Sequence, residues 1–190
     1  MSYFPAFIQL EEKRILLVGG GRIASEKLEK LLDFTTDITI LATKISDEVS
    51  ETASRHSLET VTREYRRGDI EGYDIVVVAT DTVELHREIF EESRDSRIMV
   101  NSVDDTAYCD FIFPSYLKRG DLTIAFSTSG ASPAFAKHIR RYFENIVPES
   151  TSAFLDRMKS LRNELPKGEE RMKKFDEMVR EFMKKNFPGK

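Results

Sequence analysis

Glycines at positions 19, 20 and 21, followed by Arg22, Ile23 and Ala24 and preceded by the apolar run Ile15, Leu16, Leu17 and Val18, form the spacing with the clearest chemical meaning in this chain. A strand that ends in G-x-G-x-x-A and turns directly into a helix presents bare backbone amides and a positive helix end, which suits a dinucleotide pyrophosphate. Gly19 permits the tight turn, Gly21 removes the Cβ that would hold phosphates away, and Ala24 lets the helix lie close on the strand. Tight strand-to-helix turns also need glycine for purely structural reasons. The position of this loop at the front of an alternating chain favours the nucleotide reading.

Three further groups could carry chemistry. Asp104 and Asp105 follow an apolar stretch at 98–100 and are either an acid-base pair of candidates beside a nicotinamide or two acids in a turn. Asp81 is three residues before Glu84, the spacing of a helix-capping pair. Ser127, Thr128, Ser129 and Gly130 precede Ser132 and Pro133, and a helix starting there offers amides and hydroxyls to an anion. Lys137, Arg140 and Arg141 on that helix, with Lys118 and Arg119 before it, suit a substrate bearing several carboxylates, although a capped helix with a basic surface accounts for them equally well. His56, His86 and His138 have no metal-ligand spacing, and no metal site is expected. Cys109 has no second cysteine to bond and reads as a small packed side chain.

These residues need elements to position them. Strand patterns at 15–18, 38–41, 58–63, 75–79 and 98–100 alternate with helical patterns at 25–32, 46–55 and from Asp81 to about Arg94. Strands alternating with helices imply a parallel sheet with right-handed crossovers, whose ligands gather at the carboxyl ends of the strands. That rule points to Gly19, Thr43, Thr80 and the stretch from Asn101 to Asp104. About 20 residues past the glycine loop, where an acid for the NAD ribose is expected, the chain has Thr43 and Lys44. A lysine there could meet a 2′-phosphate.

The pattern changes near residue 110. Residues 111–117 and 122–126 flank the turn 118–121 and read as an antiparallel pair, with Pro114 at an edge or bend. A helix over about 134–145 follows, with Ser132 as N-cap and Pro133 at the first helical position. Such a piece is too small to stand alone and should pack on the first domain or on a second copy. Two helical stripes, 154–165 and 172–182, complete the chain on either side of Pro166, Lys167 and Gly168.

Composition limits the possibilities. The 190 residues are 40% hydrophobic with a net charge of −4, and residues 151–190 carry 11 Lys and Arg against 7 Asp and Glu. The remainder is therefore strongly acidic, which argues against nucleic acid as a partner. No apolar run approaches the roughly 20 residues that span a bilayer, and the first residues lack the pattern of a secretory signal, so a cytoplasmic location without a membrane is expected.

The motifs in order resemble the siroheme synthase N-terminal family: Tyr3-Phe4-Pro5 with Phe7 and Leu10, Val18-Gly19-Gly20-Gly21, Ala79-Thr80-Asp81, Val100-Asn101-Ser102-Val103-Asp104-Asp105, Cys109-Asp110-Phe111-Ile112-Phe113-Pro114, Arg119-Gly120-Asp121-Leu122 and Gly130-Ala131-Ser132-Pro133-Ala134. The resemblance covers about residues 3–145. That family comprises precorrin-2 dehydrogenases, some of which also insert ferrous ion into sirohydrochlorin. It implies an NAD-dependent oxidation of precorrin-2 to sirohydrochlorin by a homodimer. It further implies nucleotide contacts at Arg22, Ile23, Thr43 and Lys44, joined by Gly19, Gly21, Thr80 and Asp81, and an acid-base carboxylate at Asp104. The tetrapyrrole is expected at Asn101, Ser127, Thr128, Ser129, Gly130 and Lys137. The implied fold is α/β: a Rossmann-like parallel sheet domain at 1–113, a small α+β dimerisation section at 114–147 and a helical C-terminal tail at 148–190.

The chain departs from the family pattern at Ser129, usually a second glycine, at Thr82, often a second aspartate, at Ser102, usually valine, and at His86, frequently asparagine. It ends without the methyltransferase domain that some relatives append, so methylation is expected of another protein. A nucleotide-sensing or tetrapyrrole-binding module without catalysis is the competing reading of the same glycine loop and basic helix.

Overall fold

The computed structural model describes residues 3–187. By their internal contacts these fall into two compact units, one from Tyr3 to Ile112 and the other from Phe113 onward.

The first unit is built on five short parallel strands, β1 (Ile15–Val18), β2 (Ile38–Ala42), β3 (Glu59–Thr62), β4 (Ile75–Val78) and β5 (Met99–Ser102), in the order β3-β2-β1-β4-β5. Every residue of β1, β2 and β4 is buried, as a parallel sheet covered on both faces requires, whereas the edge strand β3 is largely exposed. Leu16, Val18, Val76 and Val78 cluster with Val100 and with Ile89 of the helix α3 (Val83–Ser93). Alternation along the strand turns Ile15 and Leu17 to the opposite face, where α1 (Arg22–Leu32) lies against β1 and α2 (Asp47–Arg55) against α1. Leu28 and Leu31 anchor α1, and full burial of each such side chain stabilises by about 1.5–3 kcal/mol. The order β2-β1-β4 reverses direction beside β1, and this is where a doubly wound sheet opens a crevice.

Ser46 caps α2 by accepting from the Val49 amide at 3.4 Å. The Asp81–Glu84 pair is a correction: α3 begins one residue later, with Thr82 at the cap position and no side chain capping it. The Thr82 amide instead donates to Thr80 Oγ1 at 3.4 Å, and the Leu85 amide to the Thr82 carbonyl at 3.1 Å, so the turn at Thr80 sets where the helix begins.

The second unit opens with an antiparallel hairpin, β6 (Ser115–Arg119) and β7 (Leu122–Phe126), joined by Gly120 and Asp121. Strand structure starts at Ser115, not at Phe111, because Pro114 has no amide to donate and falls just outside the ladder. The helix α4 (Pro133–Ile146) packs on β6, with Ala136 buried and Phe143 against Phe126 at 5.2 Å between ring centres. Ser132 caps it through the Phe135 amide at 3.2 Å, with Pro133 next, as expected. Gly120 has φ +58°, and a Cβ there would lie 2.3 Å from Ser152 Oγ of α5 (Ser150–Glu164), so the turn admits only glycine. Helix α6 (Glu169–Asn186) folds back on α5, where Phe182 stacks on Phe154 at 4.1 Å. Met158 and Phe175 are buried in this pair, but Met172 of the expected apolar stripe is exposed.

Candidate functional site

The glycine loop lies at the carboxyl end of β1 and forms the floor of a cleft of about 460 Å³. Gly19 has φ +133°, and a Cβ on it would meet the Ala79 carbonyl oxygen at 2.2 Å, so both backbone conformation and space exclude any other residue. Gly20 carries an equal constraint that spacing did not reveal: its Cβ would lie 2.3 Å from the Lys44 carbonyl oxygen. The Ser46 amide donates to the Gly20 carbonyl at 2.8 Å, so the loop after β2 is laid directly on the glycine loop. Among the described residues nothing lies within 4 Å of the Cβ position of Gly21, which leaves room for a group to approach the backbone. Gly21 occupies the cap position of α1 without any capping side chain, and Ala24 is fully buried against the sheet. Uncapped amides and a positive helix end facing open space fit a bound pyrophosphate.

Around this floor the fold gathers Arg22 and Ile23 from α1, Thr43 and Lys44 after β2, and Thr80 and Asp81 after β4. All eight expected cofactor residues, Gly19 and Gly21 included, therefore line one cleft. Arg22 is ion-paired with Glu26 one helical turn on. Thr80 is held from behind by His86, which is buried in α3 and donates from Nε2 to the Thr80 carbonyl at 2.9 Å. This nitrogen of His86 is thus satisfied within the fold.

Arg63 and Tyr65 also line the cleft and were missed as site residues. Arg63 is the first residue after β3, and the strand-end rule that selects Thr43 and Thr80 would have selected it. Its guanidinium donates to both Asp69 oxygens at 2.6 and 2.8 Å. The hydrogen bonds from Arg63 hold the Asp69 carboxyl below its ordinary range despite its burial, helped by the Arg66 amide. Tyr65 donates to Glu92 at 2.8 Å, and burial together with that carboxylate pushes the phenol upward, which keeps it a donor.

Asp104 stands past the end of β5, at the same carboxyl edge of the sheet, but is not a lining residue of the cleft. It is exposed and has φ +64°, a left-handed conformation that aspartate tolerates better than most residues and that recurs at functional sites. Its neighbour Asp105 is committed, capping a short 3-10 turn by accepting from the Ala107 amide at 3.1 Å. Asp104 and Asp105 are thus distinguished by geometry where position left them equivalent. Lys27, one turn into α1, is half-buried; burial lowers its pKa, and the Asp104 charge acts in the opposite direction. Cys109 accepts from the Ser102 amide at 3.2 Å and donates to the Ser102 carbonyl at 3.1 Å, tying this loop to β5, and burial pushes its thiol up. Asn101 is buried and donates to the Phe111 carbonyl at 2.8 Å, so its amide serves the loop and does not face outward.

The remaining expected substrate residues belong to the second unit. Ser127 Oγ accepts from the Ser129 amide at 3.1 Å, and Thr128 Oγ1 from the Ser132 amide at 3.0 Å. Ser129 and Gly130 have φ +51° and +86°, which explains why two glycines suit these positions. Lys137 is exposed on α4, and Arg140 is ion-paired with Glu144.

A family model described as putative NAD(P)-binding matches residues 6–115, and one described as the central part of a sirohaem biosynthesis protein matches residues 119–145. The chain belongs to the siroheme synthase N-terminal family. Siroheme synthase of Mannheimia succiniciproducens is 33% identical over 156 residues, covering 82% of this chain and 33% of the relative. Siroheme synthase 3 of Aeromonas hydrophila is 35% identical over 162 residues, covering 85% of this chain and 35% of the relative. The chain thus spans about a third of the length of these curated relatives. A solved precorrin-2 dehydrogenase, SirC, superposes with a TM-score of 0.75 at 25% identity, over 89% of this chain and 85% of that one. The family's parallel-sheet domain with a nucleotide crevice is the fold described above.

Proposed function

We propose that this chain oxidises precorrin-2 to sirohydrochlorin with NAD, and that Asp104 takes the proton. The observation that carries the reading is the uncapped, glycine-walled start of α1 at the sheet edge where Asp104 also stands. Supporting it are the family of the chain and its likeness to a solved precorrin-2 dehydrogenase.

Bound NAD supplies the hydride acceptor. The glycine loop and the amides of Arg22 and Ile23 hold the pyrophosphate, and Thr43, Lys44, Thr80 and Asp81 line the rest of the cleft. Oxidation of the substrate breaks two bonds to hydrogen and forms one double bond. One hydrogen leaves with its electron pair, and the other leaves as a proton to the Asp104 carboxylate, which has no hydrogen-bond partner among the described residues to compete for it. Ser127, Thr128, Ser129, Gly130 and Lys137 meet the acidic side chains of the tetrapyrrole, with Asn101 acting through the Phe111 carbonyl it holds. The protein works in the cytoplasm as a homodimer; Phe135, Tyr142 and Ile146 on α4 expose apolar surface that a second copy would cover.

Turnover of precorrin-2 by Asp104→Ala tests the reading. The variant should lose about 10²- to 10⁴-fold in rate while binding NAD as the parent does. Turnover at the parental rate would remove Asp104 from the reaction.

A further inference from the structure

One end of the cleft is not explained by the glycine loop. In a doubly wound sheet the strand beside that loop meets the adenosine ribose, and a carboxylate there commonly accepts from its hydroxyls. Here β2 leads into Thr43 and Lys44, and the lining carboxylate, Asp81, follows β4 on the other side of the loop. The next strand outward adds a second cation. The Arg63 amide donates to the Ala42 carbonyl at 3.0 Å, which sets Arg63 beside the β2 end. Its guanidinium is held in place by Asp69, Asp69 also takes the Arg66 amide at 2.8 Å, and Glu92 fixes both Tyr65 and the Gly68 amide at 2.8 and 2.7 Å. The wall is therefore ordered before any ligand arrives. Lys44, by contrast, is exposed and forms no ion pair among the described residues.

We propose that this end of the cleft accepts a phosphate on the adenosine ribose, paired with Lys44 and hydrogen-bonded by Arg63, so that the protein binds NADP as well as NAD. The inference rests on the nucleotide reading above and goes beyond it. Asp69 offsets the Arg63 charge, which leaves about one uncompensated positive charge, that of Lys44, at this end. One such charge is enough to favour a phosphate dianion, yet neutral ribose hydroxyls meet no repulsion, so acceptance of both coenzymes follows.

Calorimetric titration of the full chain with NAD and with NADP at low salt tests this. The two dissociation constants should agree within about tenfold, and Lys44→Glu should shift their ratio at least about tenfold against NADP, the effect of losing one charged contact to phosphate. Lys44→Arg should preserve the ratio. NAD binding with NADP more than tenfold weaker, or a ratio unmoved by Lys44→Glu, overturns the proposal and leaves the nucleotide reading standing. Failure of both nucleotides to bind overturns the two together.

Discussion

Two turns in this protein lead into helices, and they differ in what occupies their amides. Before α1 the glycines offer no side chain, so the first-turn amides have no capping partner and open onto the cleft. Before α4 the chain satisfies itself: Ser127 takes the Ser129 amide, Thr128 takes that of Ser132, and Ser132 takes that of Phe135. Both look from composition like anion sites. A helix start without its own cap is prepared for a ligand, whereas a self-capped one must give up hydrogen bonds worth about 1 kcal/mol each before its amides can receive one. The second turn therefore offers a ligand chiefly its exposed rim and the neighbouring Lys137.

The contrast can be broken at its glycines. Gly19→Ala places a Cβ against the Ala79 carbonyl in a disfavoured conformation and should cost about 2–6 kcal/mol in urea unfolding, with loss of NAD binding. Gly130→Ala meets open space and carries only the conformational cost of about 1–2 kcal/mol. Equal losses would show that the two turns are not differently constrained.

Acid should weaken the cleft wall. The Asp69 carboxyl titrates below its ordinary range because Arg63 hydrogen-bonds its charged form, so its contribution is full above the ordinary carboxylate range and disappears as pH falls through the lowered value. The difference in urea midpoint between the parent and Asp69→Asn should accordingly be present at neutral pH and close in strong acid. A difference independent of pH would mean that the ion pair does not hold the wall. Smallest of all, Ser129→Gly should relieve a left-handed serine and raise stability by up to about 1 kcal/mol, read as a small upward shift in melting temperature.

What the residues revealed on their own was local. Gly19, Ser132 and Pro133 announced themselves because a turn or cap is decided within a few positions of the chain. Gly20 did not, since its constraint comes from the Lys44 carbonyl after the next strand. Arg63 and Tyr65 were hidden for a similar reason: what brings them to the cleft is the pairing of β3 with β2 and the anchors Asp69 and Glu92. The Asp81–Glu84 spacing misled because a turn centred on Thr80 delayed the helix by one residue. Asp104 and Asp105 could be told apart only once the Ala107 amide had found Asp105.

The bond from His86 to Thr80 has a practical consequence. A carbonyl can only accept, so the imidazole hydrogen facing it sits on Nε2, and the other ring nitrogen is buried without a partner among the described residues. His86 is one of three histidines, and its ring touches the back of a residue whose front lines the cleft. Isotope-labelled imidazole would thus give this protein a native magnetic-resonance reporter, one that senses an arriving coenzyme through a single carbonyl without any dye or tag.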